Sequence, residues 1–309
     1  MVAAAVELGG RVASDVVIVT AESQADATRS LVPGIELIVE PVGRNTAAAI
    51  GLAAAILVAR DPDATLIVLP ADQHVADRAG LASVLATALD AAEHADAIAT
   101  IGIPPTRPET GFGYVELTAP AVPGAVQPVA RFVEKPDLAT AERYVASGRY
   151  LWNAGIFCAR ASRLLAELDA QLPEIARAVR EIARDPGVAA ERYAALPSIS
   201  IDHGVMEHAA RVVTVPAAVG WDDVGSWAAL DAIRGRDAHA NTIVGTAVVL
   251  DGTNNVVMSD DDTLIATVGV SDLVVVKHGD AILVIPKAAA QDVRKVIDAL
   301  AARGLGRYL

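Results

Sequence analysis

This 309-residue chain has little cysteine, few aromatic residues and no long apolar run. Its single cysteine, Cys158, excludes an internal disulfide and suits a reducing cytoplasm. The longest apolar stretch, 47–59, is interrupted by Gly51 and ends at Arg60, so it is shorter than the roughly 20 residues of a membrane span. Residues 1–6 lack the basic start of a secretory signal. We therefore expect a cytoplasmic protein with no membrane partner.

Positive charge is also scarce, because 25 Lys and Arg residues face 38 Asp and Glu residues, a net charge of −13 at pH 7. A chain without a basic stripe cannot release counterions from nucleic acid, so nucleic acid is excluded as a partner. If the substrates carry phosphate groups, a metal ion or a few well-placed Arg and Lys residues must hold them. Hydrophobic residues make up 53% of the chain, which is typical of a globular protein with a large core.

Short β-rich runs alternate with helical patterns through the first two-thirds of the chain, which predicts βαβ units in an α/β fold. Predicted strands cover residues 15–20, 35–39, 65–70, 97–103, 114–117, 129–134 and 156–159, and predicted helices cover 46–60, 81–94, 138–147 and much of 161–184. Residues 241–285 hold short strands broken by turn residues, which predicts a coiled β ladder, and a helix follows over 288–303. We predict one domain over 1–235 and a second over 236–309.

The most informative run is Glu-Pro-Val-Gly-Arg-Asn-Thr at residues 40–46, between a predicted strand and an alanine-rich helix. A strand, a polar turn and a helix start together form a corner that faces a ligand. Free amides at a helix start attract anions, and Arg44 and Asn45 add directional donors. The sequence therefore predicts a binding corner at the start of this helix.

Two acidic positions lie far apart in the sequence. Asp72 directly follows the predicted strand 65–70, at the end where open α/β sheets place their ligands. It could ligate a divalent cation or cap the next helix. The run 221–227 contributes Asp222 and Asp223. Two distant carboxylates with substrate phosphates are a usual way to hold Mg²⁺.

Three further clusters have both a functional and an ordinary explanation. Gly113, in a Gly-Phe-Gly-Tyr run, lets a ligand approach the backbone, or simply forms a turn. Glu134 and Lys135 end a strand, and both can face one pocket only if the strand breaks at Pro136; a solvated charge pair is the alternative. Asn153 lies between aromatic residues, and a buried amide needs partners, of which a ligand hydroxyl is a natural one.

Aromatic residues concentrate in these clusters and in the run 221–227, which favours a pocket over a scattered core. Seven of the eleven aromatic residues of the chain are involved, namely Phe112, Tyr114, Phe132, Trp152, Phe157, Trp221 and Trp227.

Taken in their order along the chain, these motifs resemble those of the mannose-1-phosphate guanylyltransferases, the GDP-mannose pyrophosphorylases of the sugar-nucleotidyltransferase superfamily. The matching segments are 40–50, 69–72, 110–114, 132–136, 152–157, 200–207 and 220–227, and the resemblance covers about residues 10–290. The resemblance implies a Rossmann-like nucleotidyltransferase sheet, N-terminally truncated, with a small C-terminal β-helix-like domain. Because that domain is usually an oligomerisation surface, a homodimer is expected.

The resemblance further implies that mannose 1-phosphate attacks the α-phosphorus of GTP, giving GDP-mannose and pyrophosphate with Mg²⁺ as cofactor. It assigns the nucleotide to Glu40, Pro41, Arg44, Asn45 and Thr46, the sugar phosphate to Gly113, Glu134, Lys135 and Asn153, and the metal to Asp72 and Asp223, with Asp72, Asp223 and Lys135 catalytic. The chain departs from the pattern at Asp222, where relatives often carry Ser. It also departs at Gln73, which separates Asp72 from His74 where relatives tend to have Asp-His.

Relatives begin with a strand and a glycine-rich loop, Gly-Gly-x-Gly-Thr-Arg-Leu, that holds the triphosphate, and this pattern is not found here. Gly9 and Gly10 precede a predicted strand rather than a helix, so they cannot form that loop. We interpret residues 3–8 as the end of a helix that stops at these glycines. The sequence therefore either starts too late or belongs to a degenerate relative. We expect little or no guanylyltransferase activity from it, and expect upstream residues to restore activity.

Two other interpretations stay open. The same fold could serve another hexose 1-phosphate, as in a thymidylyl- or adenylyltransferase for glucose 1-phosphate. The chain could also be a non-catalytic protein that binds sugar nucleotides, for which the missing loop is the only support. Activity assays with several nucleotides and with mannose and glucose 1-phosphates would decide the first alternative. Binding of GDP-mannose without turnover would favour the second.

Overall fold

The computed structural model describes residues 1–224, 230 and 234–308, which form two compact units, Met1–Trp221 and Asp222–Leu309. The units divide at Trp221, earlier than the predicted domain boundary after residue 235, which stays a prediction. The residues Gly225, Ser226 and Trp227 of the acidic run lie outside the described residues. Among the described helices, none has the length and apolar character needed to cross a membrane.

The first unit alternates helices and strands, as the sequence pattern predicts. Its helices are α1 (Val2–Val12), α2 (Glu22–Leu31), α3 (Asn45–Arg60), α4 (Arg78–Ala95), α5 (Leu138–Ser147), α6 (Ala161–Gln171), α7 (Pro173–Arg184) and α8 (Ala189–Ala194). Its strands are β1 (Val17–Ala21), β2 (Glu36–Glu40), β3 (Thr65–Val68), β4 (His74–Val75), β5 (Ile98–Ile103), β6 (Tyr114–Leu117), β7 (Gln127–Val133), β8 (Tyr150–Arg160), β9 (Val212–Pro216) and β10 (Trp221–Asp222). Strand β10 begins at the last residue of this unit.

Within the described residues, the main sheet has the strand order β3-β8-β5-β9-β7-β6, and β8 also pairs with β6. The pairings β1–β2 and β5–β9 are parallel, but β3–β8, β5–β8, β6–β7 and β7–β9 are antiparallel. The predicted α/β fold is confirmed, and α4 lies between the parallel strands β3 and β5 in the sequence. These two strands are not neighbours, because β8 lies between them and runs antiparallel to both.

Strand β8 pairs with three other strands of the main sheet, β3, β5 and β6. The sequence predicted a strand only over 156–159, whereas the strand runs eleven residues, from Tyr150 to Arg160. Its register against β5 shifts between Thr100 and Gly102, and Gly155 has a φ of +68°. This irregularity breaks the alternation that sequence reasoning uses to recognise a strand.

Helices cover both faces of the main sheet. On one face α3, α6 and α7 pack in a core that includes Leu151 and Phe157 of β8, and on the other α4 packs against a core that includes Ile156 and Cys158. Helices α3 and α6 approach closely because α3 is rich in alanine and has glycine at position 51. A Cβ at Gly51 would lie only 2.9 Å from Leu168 Cδ1.

Helix α1 does not stop at Gly9 and Gly10. It continues to Val12, and the amide of Ala13 still donates to Gly9 O at 2.9 Å. The prediction of a helix over 3–8 is confirmed, but the stop at the two glycines is wrong. Glycine ends a helix only where the chain turns into a left-handed conformation, and neither residue has a positive φ.

The second unit is a coil of short strands. They are β11 (Thr242–Val244), β12 (Ala247–Leu250), β13 (Val256–Ser259), β14 (Ile265–Val268), β15 (Leu273–His278) and β16 (Ala281–Pro286), followed by a 3₁₀ helix (Lys287–Asp292) and helix α9 (Val293–Ala302). Parallel pairing joins β11 to β13, β13 to β15 and β12 to β14, as successive turns of a β-helix require. The predicted β-rich region and closing helix are confirmed.

Two buried asparagines repeat the same contact in successive turns of this coil. Asn241 Oδ1 accepts from the amide of Asn255 at 2.9 Å, and Asn255 Oδ1 accepts from the amide of Leu273 at 3.0 Å. The side-chain amides donate in turn to the carbonyls of Gly252 and Val270. Each asparagine therefore satisfies backbone groups that the coil would otherwise bury without partners.

Candidate functional site

The predicted corner lies at the start of α3, directly after β2. Glu40 ends β2 with its side chain buried, and it accepts a hydrogen bond from the hydroxyl of Tyr193. Burial, together with this hydrogen bond, raises the pKa of Tyr193 well above its usual range. Pro41 follows Glu40 in the turn, and Arg44 donates from Nη2 to the carbonyl of Ala194. The side chains that the sequence assigned to a nucleotide thus also tie the corner to the segment around α8.

The amides at this helix start are not free. Asn45 has a φ of +65°, and its Oδ1 accepts from the amide of Thr46 at 2.8 Å. The amide of Ala47 donates to the carbonyl of Ile199 at 3.2 Å. The expectation of free anion-binding amides is therefore wrong for Thr46 and Ala47, because a side chain and a neighbouring loop already satisfy them.

The predicted sugar-phosphate residues Gly113, Glu134 and Asn153 come together where β6 begins and β7 ends, beside β8. The amide of Asn153 donates to Gly113 O at 2.8 Å. A Cβ at Gly113 would lie 2.5 Å from Glu134 Oε2 and 3.5 Å from Asn153 Cβ. A side chain at this position would therefore displace the Glu134 carboxylate from its present place.

The strand break predicted at Pro136 is confirmed. Strand β7 ends at Val133, and Lys135 has a φ of +47°, which costs a residue with a side chain about 1–2 kcal/mol. This turn brings Lys135 Nζ to 2.8 Å from Glu134 Oε1, so the two charges lie on one side. The Glu134 side chain is 16% exposed and that of Lys135 is 62% exposed, which leaves the ammonium group accessible to a ligand.

Asn153 has protein partners on both sides of its amide. Thr100 Oγ1 donates to Asn153 Oδ1 at 2.8 Å, and Asn153 Nδ2 donates to Asp202 Oδ1 at 2.9 Å. Sequence reasoning gave no role to Thr100 or Asp202. Thr100 was detectable as the lone hydroxyl in an apolar strand, but its partner lies 53 residues away in sequence and could not be identified.

Asp202 faces the charged turn at the end of β7. Its partly buried position, and then the nearby Glu134 carboxylate, raise the pKa of Asp202 to about 6. The hydrogen bond from the side-chain amide of Asn153 and the charge of the Lys135 ammonium lower the pKa of Asp202. Their effect is smaller than the increase caused by burial and by Glu134. Three of the groups around this point, Glu134, Asp202 and Lys135, therefore form one interacting set.

Glu207 is a third residue to which the sequence gave no role. Its Oε1 accepts from the amide of Glu134 at 3.0 Å, and its Oε2 lies 2.9 Å from Nδ1 of His203. The contact joins the end of β7 to the segment that follows Asp202.

The predicted metal ligand Asp72 lies exposed in the turn after β3. It does not cap the next helix, because Asp77 caps α4 by accepting from the amide of Gly80 at 2.8 Å. The neighbouring Gln73 donates to the carbonyl of Ala154 at 2.5 Å and accepts from Nε1 of Trp221 at 2.9 Å. Gln73 therefore anchors the turn that carries Asp72.

Asp222 and Asp223 belong to the second unit, so their approach to Asp72 stays a prediction. Asp222 Oδ1 accepts from the amide of Val224 at 2.9 Å, which gives Asp222 a turn-forming role. Over residues 1–224, 230 and 234–308, no group of three or more His, Cys, Asp or Glu side chains could hold a metal ion.

The clustered aromatic residues belong to the core. Phe112 packs edge-on against Trp152 and Trp221, each at 5.3 Å between ring centroids. The rings of Tyr114, Phe132, Trp152, Phe157 and Trp221 are all buried. Phe132 and Phe157 pack in the core on one face of the main sheet, and Tyr114, Trp152 and Trp221 pack in the core on the other. A pocket role for these rings stays a prediction.

The corner and the sugar-phosphate cluster are joined through two adjacent residues. The amide of Ile201 donates to Thr46 Oγ1 at 2.8 Å, and Asp202 accepts from Asn153. Both predicted subsites of the first unit therefore lie around the segment 199–202.

Two family models match the chain. The nucleotidyl transferase model matches residues 10–239, and the MannoseP isomerase/GMP-like beta-helix domain model matches residues 245–300. The two matches correspond to the α/β part and to the coil of short strands.

Several proteins are similar over most of the chain. Mannose-1-phosphate guanylyltransferase of Escherichia coli K12 is 42% identical over 280 residues, which cover 87% of this chain and 58% of that protein. The alginate biosynthesis protein AlgA of Pseudomonas aeruginosa is 40% identical over 276 residues, covering 87% of this chain and 57% of that protein. The chain thus spans less than two-thirds of the length of these relatives.

A crystal structure described as mannose-1-phosphate geranyltransferase from Thermus thermophilus superimposes with a TM-score of 0.88. It is 38% identical, and the match covers 96% of this chain and 88% of that chain. The similarity therefore extends through both the α/β part and the coil of short strands.

Proposed function

This chain belongs to the nucleotidyl transferase family, and from that premise we propose that it transfers GMP from GTP to mannose 1-phosphate. The resemblance indicated by the motifs is confirmed by the two domain matches and by relatives named mannose-1-phosphate guanylyltransferase. The proposed products are GDP-mannose and pyrophosphate.

One observation carries the proposal, namely the junction at Ile201 and Asp202. Ile201 holds Thr46 at the corner assigned to the nucleotide, while Asp202 holds Asn153 in the cluster assigned to the sugar phosphate. Two substrates that react with each other must bind side by side. The shared segment supports neighbouring subsites for a nucleotide and a sugar phosphate.

The chemistry needs orientation and charge neutralisation. A phosphate oxygen of mannose 1-phosphate forms a bond to the α-phosphorus of GTP, and the bond from that phosphorus to the β-phosphate oxygen breaks. Lys135 presents an exposed ammonium group that can contact the sugar phosphate. Arg44 and Asn45 offer donors to the nucleotide. No covalent intermediate on the protein is required.

We propose Mg²⁺ as the divalent cation of this chain, since the nucleotidyltransferase family generally uses one. The exposed Asp72 carboxylate makes no hydrogen bond or ion pair with any other described residue, so it can take a ligand. Asp72 of the first unit would be one ligand of the ion, since Mg²⁺ commonly binds one or two carboxylates and substrate phosphates. When bound, it would neutralise charge on the phosphate oxygens.

The test combines turnover with binding. We expect pyrophosphate release from GTP with mannose 1-phosphate, and weaker or no release with other nucleoside triphosphates or with glucose 1-phosphate. Calorimetry should show GDP-mannose binding more tightly than GDP-glucose, ADP-glucose and dTDP-glucose. The function is refuted if the chain neither releases pyrophosphate nor prefers GDP-mannose. Low turnover by this 309-residue chain stays a separate prediction, which the same assay measures.

We further propose that the second unit joins two copies of the chain. The outward face of the β12–β14 pair carries Val248, Leu250 and Val268, which are 44%, 53% and 65% exposed. An apolar face that is continuous across two paired strands can pack against the same face of a second copy of the chain. Light scattering should give the mass of a dimer for the unaltered chain and of a monomer for Val268→Asp. A monomeric unaltered chain would contradict this proposal.

A further inference from the structure

Glu207 follows a π-helical turn, Asp202–Met206, in which its amide donates to the carbonyl of Asp202 at 3.1 Å. Such i→i+5 turns are rare and frequently mark functional sites. The turn carries a carboxylate at each end. Asp202 contacts Asn153, and Glu207 contacts the amide of Glu134.

The wide turn explains how both contacts form at once. In an α-helix, residues five apart differ by about 140° around the axis, so Asp202 and Glu207 would point in clearly different directions. The additional residue in the π-turn reduces that separation. Both carboxylates can then face the end of β7 and the middle of β8.

We propose that Glu207 is a positioning residue that fixes the Lys135 ammonium for the sugar phosphate, an inference that rests on the proposed function. Lys135 adopts a left-handed backbone conformation directly before Pro136, a position where proline favours an extended residue. Such a conformation persists only when its surroundings hold it. The hydrogen bond from the amide of Glu134 to Glu207 holds the residue immediately before it.

The side chains extend the same constraint. Glu134 Oε1 lies 2.8 Å from Lys135 Nζ, so the backbone position of Glu134 sets where the ammonium lies. His203 contacts the other oxygen of Glu207 and orients the carboxylate. The chain of contacts runs from His203 through Glu207 and Glu134 to Lys135.

The test is a double-mutant cycle read by calorimetry with mannose 1-phosphate and, separately, with Mg²⁺–GTP. We expect Glu207→Ala to weaken mannose 1-phosphate binding about tenfold and to leave Mg²⁺–GTP binding within about twofold. Glu207→Gln keeps an oxygen acceptor for the Glu134 amide and should restore most of the affinity. When Lys135 is already replaced by alanine, adding Glu207→Ala should lower the affinity for mannose 1-phosphate by less than about a further twofold. Glu142→Ala, an exposed carboxylate change on α5, is the control.

The outcomes separate this inference from the proposed function. Unchanged mannose 1-phosphate binding in Glu207→Ala, or an equal loss with and without Lys135, overturns the positioning role while the function stands. Failure of the unaltered chain to bind mannose 1-phosphate overturns the positioning role, and the function falls with it only if pyrophosphate release and the preference for GDP-mannose are absent too. If Glu207→Ala does not fold, as judged by its thermal transition, Glu207→Met removes the acceptor with less loss of packing and takes its place in the cycle.

Discussion

Asn153 Nδ2 donates a 2.9 Å hydrogen bond to Asp202 Oδ1, although 49 residues separate the two in the sequence. The same amide accepts from Thr100 on its other side. This three-residue relay crosses from the central strand β5 through β8 to the π-turn. It sets the orientation of an amide that the proposed function places at the sugar phosphate.

Thr100→Val tests the relay, because it removes the donor to Asn153 while keeping the side-chain shape. We expect mannose 1-phosphate affinity to fall about three- to tenfold, the value of one neutral hydrogen bond, with Mg²⁺–GTP affinity unchanged. Thr214→Val is the matched control. Thr214 pairs with Thr100 in the parallel β5–β9 ladder and is equally buried, yet its hydroxyl has no partner among the described residues. Equal effects of the two changes in calorimetry would contradict the relay.

Asp202 should make stability depend on pH. Because its folded pKa of about 6 lies above the ordinary 3.8, the folded state holds the proton more tightly. The resulting stabilisation is fully present below about pH 4 and is lost as pH rises through 6, an effect on the order of 3 kcal/mol. Asp202→Asn should remove this slope from urea unfolding curves measured between about pH 4 and 8. The exposed Glu142→Gln should leave the slope intact; an unchanged slope in Asp202→Asn would refute the assignment.

Tyr193→Phe should destabilise the corner at α3. The change leaves the buried Glu40 carboxylate without its donor, which we expect to cost about 1–3 kcal/mol in denaturant unfolding. Tyr144→Phe is the control, since that ring is also buried but its hydroxyl lies 3.5 Å from its Arg131 donor. A loss for Tyr144→Phe as large as that for Tyr193→Phe would show that the Glu40 contact is not the cause.

Asp72→Asn should remove the Mg²⁺ dependence of GTP binding. Loss of a metal ligand is worth several kcal/mol in this chemistry, so kcat/KM should also fall at least about 100-fold. Asp63→Asn removes another exposed carboxylate of the same unit, 3.7 Å from Arg160, and should behave like the unaltered chain. If Asp72→Asn retains Mg²⁺-dependent GTP binding in calorimetry, Asp72 is not a ligand.

Elements with strong local signals were predictable to the residue. Helix α5 has its predicted bounds because Asp137 caps its start by accepting from Thr140 and Gly148 ends it with a φ of +65°. Strand β6 also matches its predicted bounds. These signals lie within a few residues of each other, so the sequence displays them directly.

The sequence indicated a turn at Gly113 and a strand end at Glu134, and the family resemblance grouped both residues with Asn153. The clustering of Gly113, Glu134 and Asn153 accords with that prediction. Their partners were not predictable, because Thr100, Asp202 and Glu207 reach them only after the sheet and the π-turn form. The first half of strand β8 escaped recognition because a register shift interrupts its alternation.

The asparagine contacts of the second unit bear on how that unit can vary. Asn241 reaches Asn255 fourteen residues on, whereas Asn255 reaches Leu273 eighteen residues on, and the two hydrogen bonds are the same in kind. The loops between rungs can therefore lengthen or shorten without disturbing the stack, since the amides lock the strands in step. Insertions between rungs should be tolerated where a single-residue slip within a rung would not be.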